Sequence, residues 1–98
     1  MTPARVHLRL YVTGRTPAAA DAIAAVKDLQ EELGATCSVD VIDVLDDPGA
    51  ALRDGIYATP TILRVRPGPA RRVFGRINVA GTLRADLQLD TDSSLAAS

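Results

Sequence analysis

The chain has 98 residues, of which 47% are hydrophobic and 23% charged, and its formal net charge is −1. This length and composition predict one globular domain with a single core and exclude a largely disordered protein. The single cysteine excludes an internal disulfide, a Cys-x-x-Cys redox pair and a cysteine-rich zinc site. The near-neutral charge and the 3% aromatic content also disfavour nucleic-acid binding.

Charge is distributed unevenly between the two halves of the chain. Residues 1–49 carry four basic and eight acidic side chains, whereas residues 50–98 carry seven arginines and four aspartates. Arginine suits bidentate contacts to carboxylates or phosphates, although a merely solvated arginine-rich edge would give the same pattern. No apolar run approaches the roughly 18 residues of a membrane span, and no signal-peptide pattern begins the chain. We therefore expect a cytoplasmic protein with no membrane partner.

The first half predicts a strand, a helix and a second strand. Residues 5–12 alternate and are rich in strand-forming types, and residues 37–45 form a similar segment. Thr16 is a good N-cap, Pro17 suits the first helical turn, and Gly34 is a typical C-terminal glycine. Helical spacing between them places four apolar residues on one face: Ala22, Val26, Leu29 and Leu33. A helix that links two strands in this way predicts a parallel pair.

The second half predicts a short helix and then a hairpin. Asp47 and Pro48 begin the helix, which Gly49 and Gly55 weaken by about 1 kcal/mol each relative to alanine. Residues 58–66 and 70–76 then form two strands around the Pro-Gly-Pro turn at residues 67–69, and such tightly joined strands pair antiparallel.

A last helix and a frayed tail complete the chain. Asn78 can cap this helix, whose apolar face consists of Val79, Ala80, Leu83 and Leu87. Residues 90–98 are mostly small or polar, which predicts a disordered tail.

The order βαβαββα, with a mixed four-stranded sheet and three helices, is the arrangement of thioredoxin. In that fold a cis proline precedes the third strand and faces the loop after the first strand. Pro60, which lacks an N–H and so fits a strand start, occupies that place. We therefore expect a cis Thr59–Pro60 bond. Residues 13–16, Thr-Gly-Arg-Thr, occupy the place where redox members carry Cys-x-x-Cys.

Enzymatic chemistry is poorly supported by these residues. Thiol–disulfide exchange needs a thiolate at the helix N-terminus, whereas Cys37 lies a full helix away and is predicted to be a small buried residue. His7 is predicted to be a structural or exposed strand residue, so no metal site or cofactor is expected. A thiol- or glutathione-handling protein that uses Thr13 or Thr16 as a hydrogen-bond partner stays open as the alternative.

Four segments of the chain form a distinctive series: LYVTGRTP at residues 10–17, VIDVLDDP at 41–48, ATPT at 58–61 and VRPGPARRVFG at 65–75. They resemble LYVAGNTP, VIDVLKNP, ATPT and VLPPPVRRIIG of the KaiB family of clock proteins. Their order and spacing match over roughly residues 4–90. The resemblance implies a non-enzymatic protein that binds the N-terminal ATPase ring of a KaiC-type partner and regulates its phosphorylation cycle. KaiA or a histidine kinase would be further partners, and a KaiB-like module in stress signalling is an alternative.

The resemblance also implies two folds. A thioredoxin-like monomer would be the binding state, and an often tetrameric state would have the order βαββααβ. We expect one domain with a stable half at residues 1–45, a fold-switching half at 46–89 and the tail at 90–98. The positions expected to govern the switch are Pro60, Pro67, Pro69, Asp86 and Gln88. Asp86 and Gln88 replace a family glycine and aspartate, which predicts a continuous last helix and favours the thioredoxin-like state.

Partner-binding residues carry over from the family one by one. Arg64, Arg71 and Arg72 match the family's interface bases. Gly55 stands where the family has a lysine. On the second strand, Ser38 and Asp40 stand where the family has small and basic exposed residues that recruit KaiA.

Overall fold

The computed structural model describes residues 5–75, 77 and 80–89, and it confirms the predicted order βαβαββα. A short 3-10 turn at Gly34–Thr36 follows the first helix. The elements are β1 (Val6–Val12), α1 (Pro17–Leu33), β2 (Cys37–Asp43), α2 (Pro48–Arg53), β3 (Thr61–Arg66), β4 (Arg71–Phe74) and α3 (Ala80–Asp86).

The four strands form one mixed sheet in the order β2-β1-β3-β4. β1 pairs parallel with β2 and antiparallel with β3, and β4 pairs antiparallel with β3. The predicted parallel crossover and the predicted hairpin are therefore both confirmed. β2 and β4 are the two edge strands of this sheet, and their exposed sides lie at opposite ends of it.

The first helix begins and ends where the sequence predicts. The Thr16 hydroxyl accepts a hydrogen bond of 3.1 Å from the Ala19 N–H, and Pro17 occupies the first turn. At the other end Gly34 has φ +64°, a conformation that disfavours residues with a Cβ. The buried face of α1 comprises Ala19, Ala22, Ala25, Val26 and Leu29.

Most of the core lies between the sheet and the helices α1 and α3. Leu8, Leu10 and Ile62 are fully buried there, and Leu83 packs against the same cluster. Each such side chain contributes roughly 1.5–3 kcal/mol through burial. The short helix α2 covers the opposite face, where it lies over Tyr11.

The second strand ends at Asp43, two residues before the predicted end. The Asp43 carboxylate accepts hydrogen bonds from the Gly14 N–H at 3.1 Å and the Leu45 N–H at 2.9 Å. These bonds turn the chain after β2 and tie it to the loop after β1. They also hold the pKa of the Asp43 carboxyl below its usual value, because both donors favour the ionised form.

The predicted continuous last helix is wrong. α3 ends at Asp86, and Gln88 has φ +60°, which no regular helix accommodates. The physical reason is that two arginines of the sheet donate hydrogen bonds to backbone carbonyls at this end of the helix. Arg71 donates to the backbone carbonyl of Asp86, and Arg64 donates to that of Leu87. The predicted Asn78 cap, Val79 and the tail at residues 90–98 lie outside the described residues.

No helix in the described part of the chain is both long enough and apolar enough to cross a membrane.

Candidate functional site

The loop around Pro60 faces the N-terminal end of α1, as predicted. The Thr59–Pro60 peptide bond is cis, and the Thr13 and Thr59 hydroxyl oxygens lie 2.5 Å apart. A cavity of about 260 Å³ opens here, lined by Val12, Thr13, Thr16, Ala18, Ala19, Thr59 and Pro60. The structure thus brings together the residues that occupy the redox site of thioredoxin, but it places hydroxyl groups there and no thiol.

Cys37 lies buried at the start of β2, away from this cavity. Burial raises the pKa of the Cys37 thiol, so the thiolate needed for disulfide exchange is disfavoured. Among the described residues, no cluster of three or more His, Cys, Asp or Glu side chains could hold a metal ion.

Arg64 is buried, although the family resemblance implies a partner contact for it. Its side chain is 6% exposed on the core face of β3. Its Nη1 donates to the Leu87 carbonyl at 2.7 Å and its Nη2 donates to the Pro69 carbonyl at 2.9 Å. In this conformation Arg64 therefore braces the end of α3 against the β3–β4 turn.

Arg71 and Arg72 are exposed on the edge strand β4 and point to opposite faces of the sheet. Arg71 reaches the end of α3 at Asp86. Arg72 reaches the end of α2, where its Nε and Nη2 donate to the Asp54 carbonyl at 3.1 and 2.7 Å. Each guanidinium places positive charge at a helix C-terminus, which is the favourable end of the dipole.

Gly55 explains how Arg72 can reach α2. Gly55 has φ +68°, and a Cβ built there would lie 3.2 Å from the Arg72 Nη2 atom. A side chain at position 55 would therefore crowd the guanidinium as well as strain the backbone. Gly55 thus lets the Arg72 charge occupy the space beside position 55.

An apolar groove that the sequence analysis missed lies beside Arg72. Its volume is about 350 Å³, and Tyr57 and Phe74 on its walls are 97% and 71% exposed. The remaining lining residues are Gly55, Ile56, Ala58, Thr61 and Arg72. Phe74, two residues after Arg72, was the one signal available in the sequence, whereas Tyr57 lies 14 residues before Arg71 and reaches the groove only through the fold.

A polar network under α2 fixes that helix on the sheet. Arg9 Nη1 donates to Asp54 Oδ2 at 3.0 Å, and the buried Tyr11 hydroxyl donates to the same carboxylate. Burial alone would raise the pKa of the Asp54 carboxyl, but the hydrogen bonds from Tyr11 and Arg9 and the Arg9 charge outweigh it and lower that pKa. Burial and the Asp54 contact together raise the pKa of Tyr11 to about 12.

Ser38 and Asp40 lie on the other edge strand, β2, so the structure does not bring them near Arg71 and Arg72. Ser38 is half-buried, and Asp40 is exposed. Asp40 Oδ2 lies 2.9 Å from the Nε2 atom of His7 on β1. The candidate residues therefore form two separate surfaces, one at each edge of the sheet.

Most of the predicted switch residues lie in two segments that Arg64 connects, the β3–β4 turn and the end of α3. The peptide bonds before Pro67 and Pro69 are both cis, and both prolines lie in the β3–β4 turn. Arg64 joins this turn, through the Pro69 carbonyl, to the Leu87 carbonyl between Asp86 and Gln88. Pro60 lies apart from these two segments, just before the start of β3.

Comparison with known proteins agrees with this architecture. A family model described as KaiB domain matches residues 9–89. Circadian clock protein KaiB3 of Synechocystis sp. is 38% identical over 87 residues, which cover 88% of this chain and 83% of that protein. The N-terminal domain of SasA from Synechococcus elongatus has a TM-score of 0.70 and 25% identity, and the match covers 89% of this chain and 83% of that one.

A chloroplastic thioredoxin z shows the fold alone, with a TM-score of 0.72 at 19% identity over 88% of this chain and 79% of that one. The family model spans most of the chain, and the curated relative exceeds a third in identity. The chain therefore belongs to the KaiB family of circadian clock proteins and has a thioredoxin-like fold.

Proposed function

We propose that this protein is a non-enzymatic, cytoplasmic clock component that binds the N-terminal ATPase ring of a KaiC-type partner and regulates its phosphorylation cycle. Family membership over residues 9–89 supports the clock role. The observation that carries the binding role is the adjacent pair Arg71 and Arg72, exposed on the edge strand β4. None of the ion pairs among the described residues includes either arginine.

The contacts of these arginines suit them to hold a partner carboxylate. Arg71 uses its Nε for the Asp86 carbonyl, and Arg72 uses Nε and Nη2 for the Asp54 carbonyl. Because a guanidinium has five N–H donors, each arginine keeps donors for a second acceptor. The carbonyls fix the orientation of each guanidinium, which reduces the side-chain entropy that binding would otherwise cost.

We propose further that the protein binds its partner as a thioredoxin-like monomer and can adopt a second, often tetrameric fold. Residues 46–89 would refold between the two states, and residues 1–45 would keep their structure. Ser38 and Asp40 on β2 would contact KaiA or a histidine kinase. The contacts of Arg64 and Arg71 support this division, because they join β3 and β4 to the end of α3, all within residues 46–89.

Reversing both charges of the edge pair, Arg71→Glu with Arg72→Glu, is expected to weaken binding to the KaiC-type ring about tenfold or more. Carboxylates at these positions would meet the acidic groups that the arginines are proposed to bind, and like charges in close contact cost several kcal/mol. Size-exclusion chromatography of the mixture with the ATPase, followed by titration, measures the change.

The matched control is Lys27→Glu with Arg66→Glu, which makes the same change in net charge at exposed positions of α1 and β3. Circular dichroism of both double variants checks that they remain folded. If the complex of the edge variant elutes and titrates like that of the control, Arg71 and Arg72 are ordinary surface residues. If the folded wild-type chain does not bind the ring, a KaiB-like module outside the clock becomes the better description.

The rival function, thiol or glutathione handling, would use the cavity beside Pro60. We expect no insulin reduction and no thiol transfer, because that cavity offers only the hydroxyls of Thr13, Thr16 and Thr59, and Cys37 is buried elsewhere. The assay includes a thioredoxin as positive control. Activity that disappears in Cys37→Ser would favour the rival function.

A further inference from the structure

The backbone of β4 has hydrogen-bonding groups directed away from the sheet. The Gly75 N–H donates to the Pro60 carbonyl at 3.3 Å, and the register places Val73 opposite Ile62. Because donors and acceptors alternate sides along an antiparallel strand, Arg72 and Phe74 direct their N–H and C=O groups to the open edge. Among the described residues, β4 has no strand partner except β3.

The side chains of the same two residues lie beside the apolar groove. Arg72 and Phe74 form one wall of this 350 Å³ groove, and Tyr57 and Ile56 contribute to the rest. Phe74 and Tyr57 are 71% and 97% exposed, so an apolar group placed between them would remove a large apolar area from water. The edge thus combines backbone groups for pairing with a pocket for one side chain.

The charge at this edge indicates the chemistry of its occupant. The Asp54 carboxylate is engaged by Arg9 and Tyr11, and only the Asp54 backbone carbonyl contacts Arg72. Of the residues that the structure describes, none that lines the groove is acidic. Arg71 adds positive charge on the opposite face of the same strand. A complementary segment therefore carries carboxylates on both of its faces and an apolar residue at the groove.

We propose that β4 binds an extended acidic segment of a partner protein by strand addition. The segment pairs with the backbone of Arg72 and Phe74, inserts one apolar side chain between Tyr57 and Phe74, and places carboxylates against Arg72 and Arg71. This mode of recognition rests on the proposed function, since it assigns the partner to the same arginine pair. It adds an apolar anchor and a backbone ladder, which supply affinity and register that charge alone does not.

The probe is a fluorescein-labelled peptide of about eight residues, made of glutamates with one central leucine, and binding is followed by fluorescence anisotropy. Two companion peptides carry N-methyl groups on alternate amides, one set on each edge of the extended peptide. We expect one companion peptide to lose binding and the other to retain it, because only one edge of the extended peptide faces β4.

Phe74→Ala is expected to weaken binding of the unmodified peptide about tenfold. Leu52→Ala, an exposed leucine on α2, is the matched control and is expected to have no effect.

Several results would overturn this docking mode. These are equal binding of both N-methylated peptides, unchanged binding by Phe74→Ala, and no saturable binding up to about 1 mM peptide. Self-association of the chain that Phe74→Ala abolishes would show a second copy as the occupant and would also refute the proposal.

Ring binding separates this inference from the proposed function. If Phe74→Ala leaves binding of the KaiC-type ring unchanged while the charge reversal of Arg71 and Arg72 abolishes it, the proposed function holds and strand addition fails. If the peptide binds as expected but the folded chain does not bind the ring, strand addition holds and the ring is not its partner.

Discussion

Replacing Arg64 by alanine is expected to lower the free energy of unfolding by about 3 kcal/mol, a large fraction of the stability of a small domain. The side chain is 6% exposed, and its two charge-assisted hydrogen bonds end on the carbonyls of Leu87 and Pro69. Truncation leaves both carbonyls without this donor and removes the buried aliphatic stem of the arginine. Urea denaturation of the variant measures the loss.

Arg66→Ala is the matched control, because Arg66 lies two residues further along β3 and is exposed. Its effect is expected to stay within about 0.5 kcal/mol. Arg64→Lys is expected to fall between the two, since an ammonium keeps the charge but does not reproduce the geometry of the guanidinium fork. Equal stabilities of Arg64→Ala and Arg66→Ala would show that Arg64 does not brace the fold. Binding data on Arg64 variants therefore require a parallel measurement of stability.

The burial of Arg64 shows where sequence reasoning stops. Side chains of a strand alternate between faces, so Arg64 shares the core face with Ile62, and this much is readable from the sequence. The carbonyl acceptors that offset the cost of burying its charge cannot be predicted from the sequence, because they come from the β3–β4 turn and the end of α3. The family resemblance indicates a binding role for this base, whereas long-range contacts give it a structural one in this conformation.

Local signals predict the elements well, and tertiary contacts account for the misses. Thr16 and Gly34 delimit α1 through interactions within a few residues, so their roles follow from residue type. The end of α3 depends instead on donors from β3 and β4, and the missed groove forms only when the hairpin brings Phe74 beside Tyr57. The helix propensities of Asp86 and Gln88 could predict neither the arginine contacts at the end of α3 nor the groove between Phe74 and Tyr57.

Removing the Asp54 carboxylate by Asp54→Ala is expected to lower the free energy of unfolding by about 2 kcal/mol. This carboxylate accepts hydrogen bonds from Arg9 on one side and from the fully buried Tyr11 hydroxyl on the other. Its loss leaves a part-buried guanidinium without its counter-ion, and the hydroxyl keeps only the Ala50 carbonyl, 3.3 Å away. Asp28→Ala, at an exposed position of α1, is the control and is expected to be nearly neutral.

Acidification is expected to remove the same stabilisation in the wild-type chain. The pKa of Asp54 is lowered in the folded state, whereas an unfolded aspartate titrates near about pH 4. A depressed folded pKa means that the contribution is fully present above that pH and is lost as the pH falls through the folded pKa. The stability difference between wild type and Asp54→Asn should therefore be largest near pH 7 and shrink as the pH falls through the lowered folded pKa of Asp54. The slope due to Asp43, whose pKa is also lowered, is common to both proteins and cancels in the difference. Urea denaturation at several pH values measures this difference, and a value that does not change with pH would show that the Asp54 charge does not stabilise α2 on the sheet.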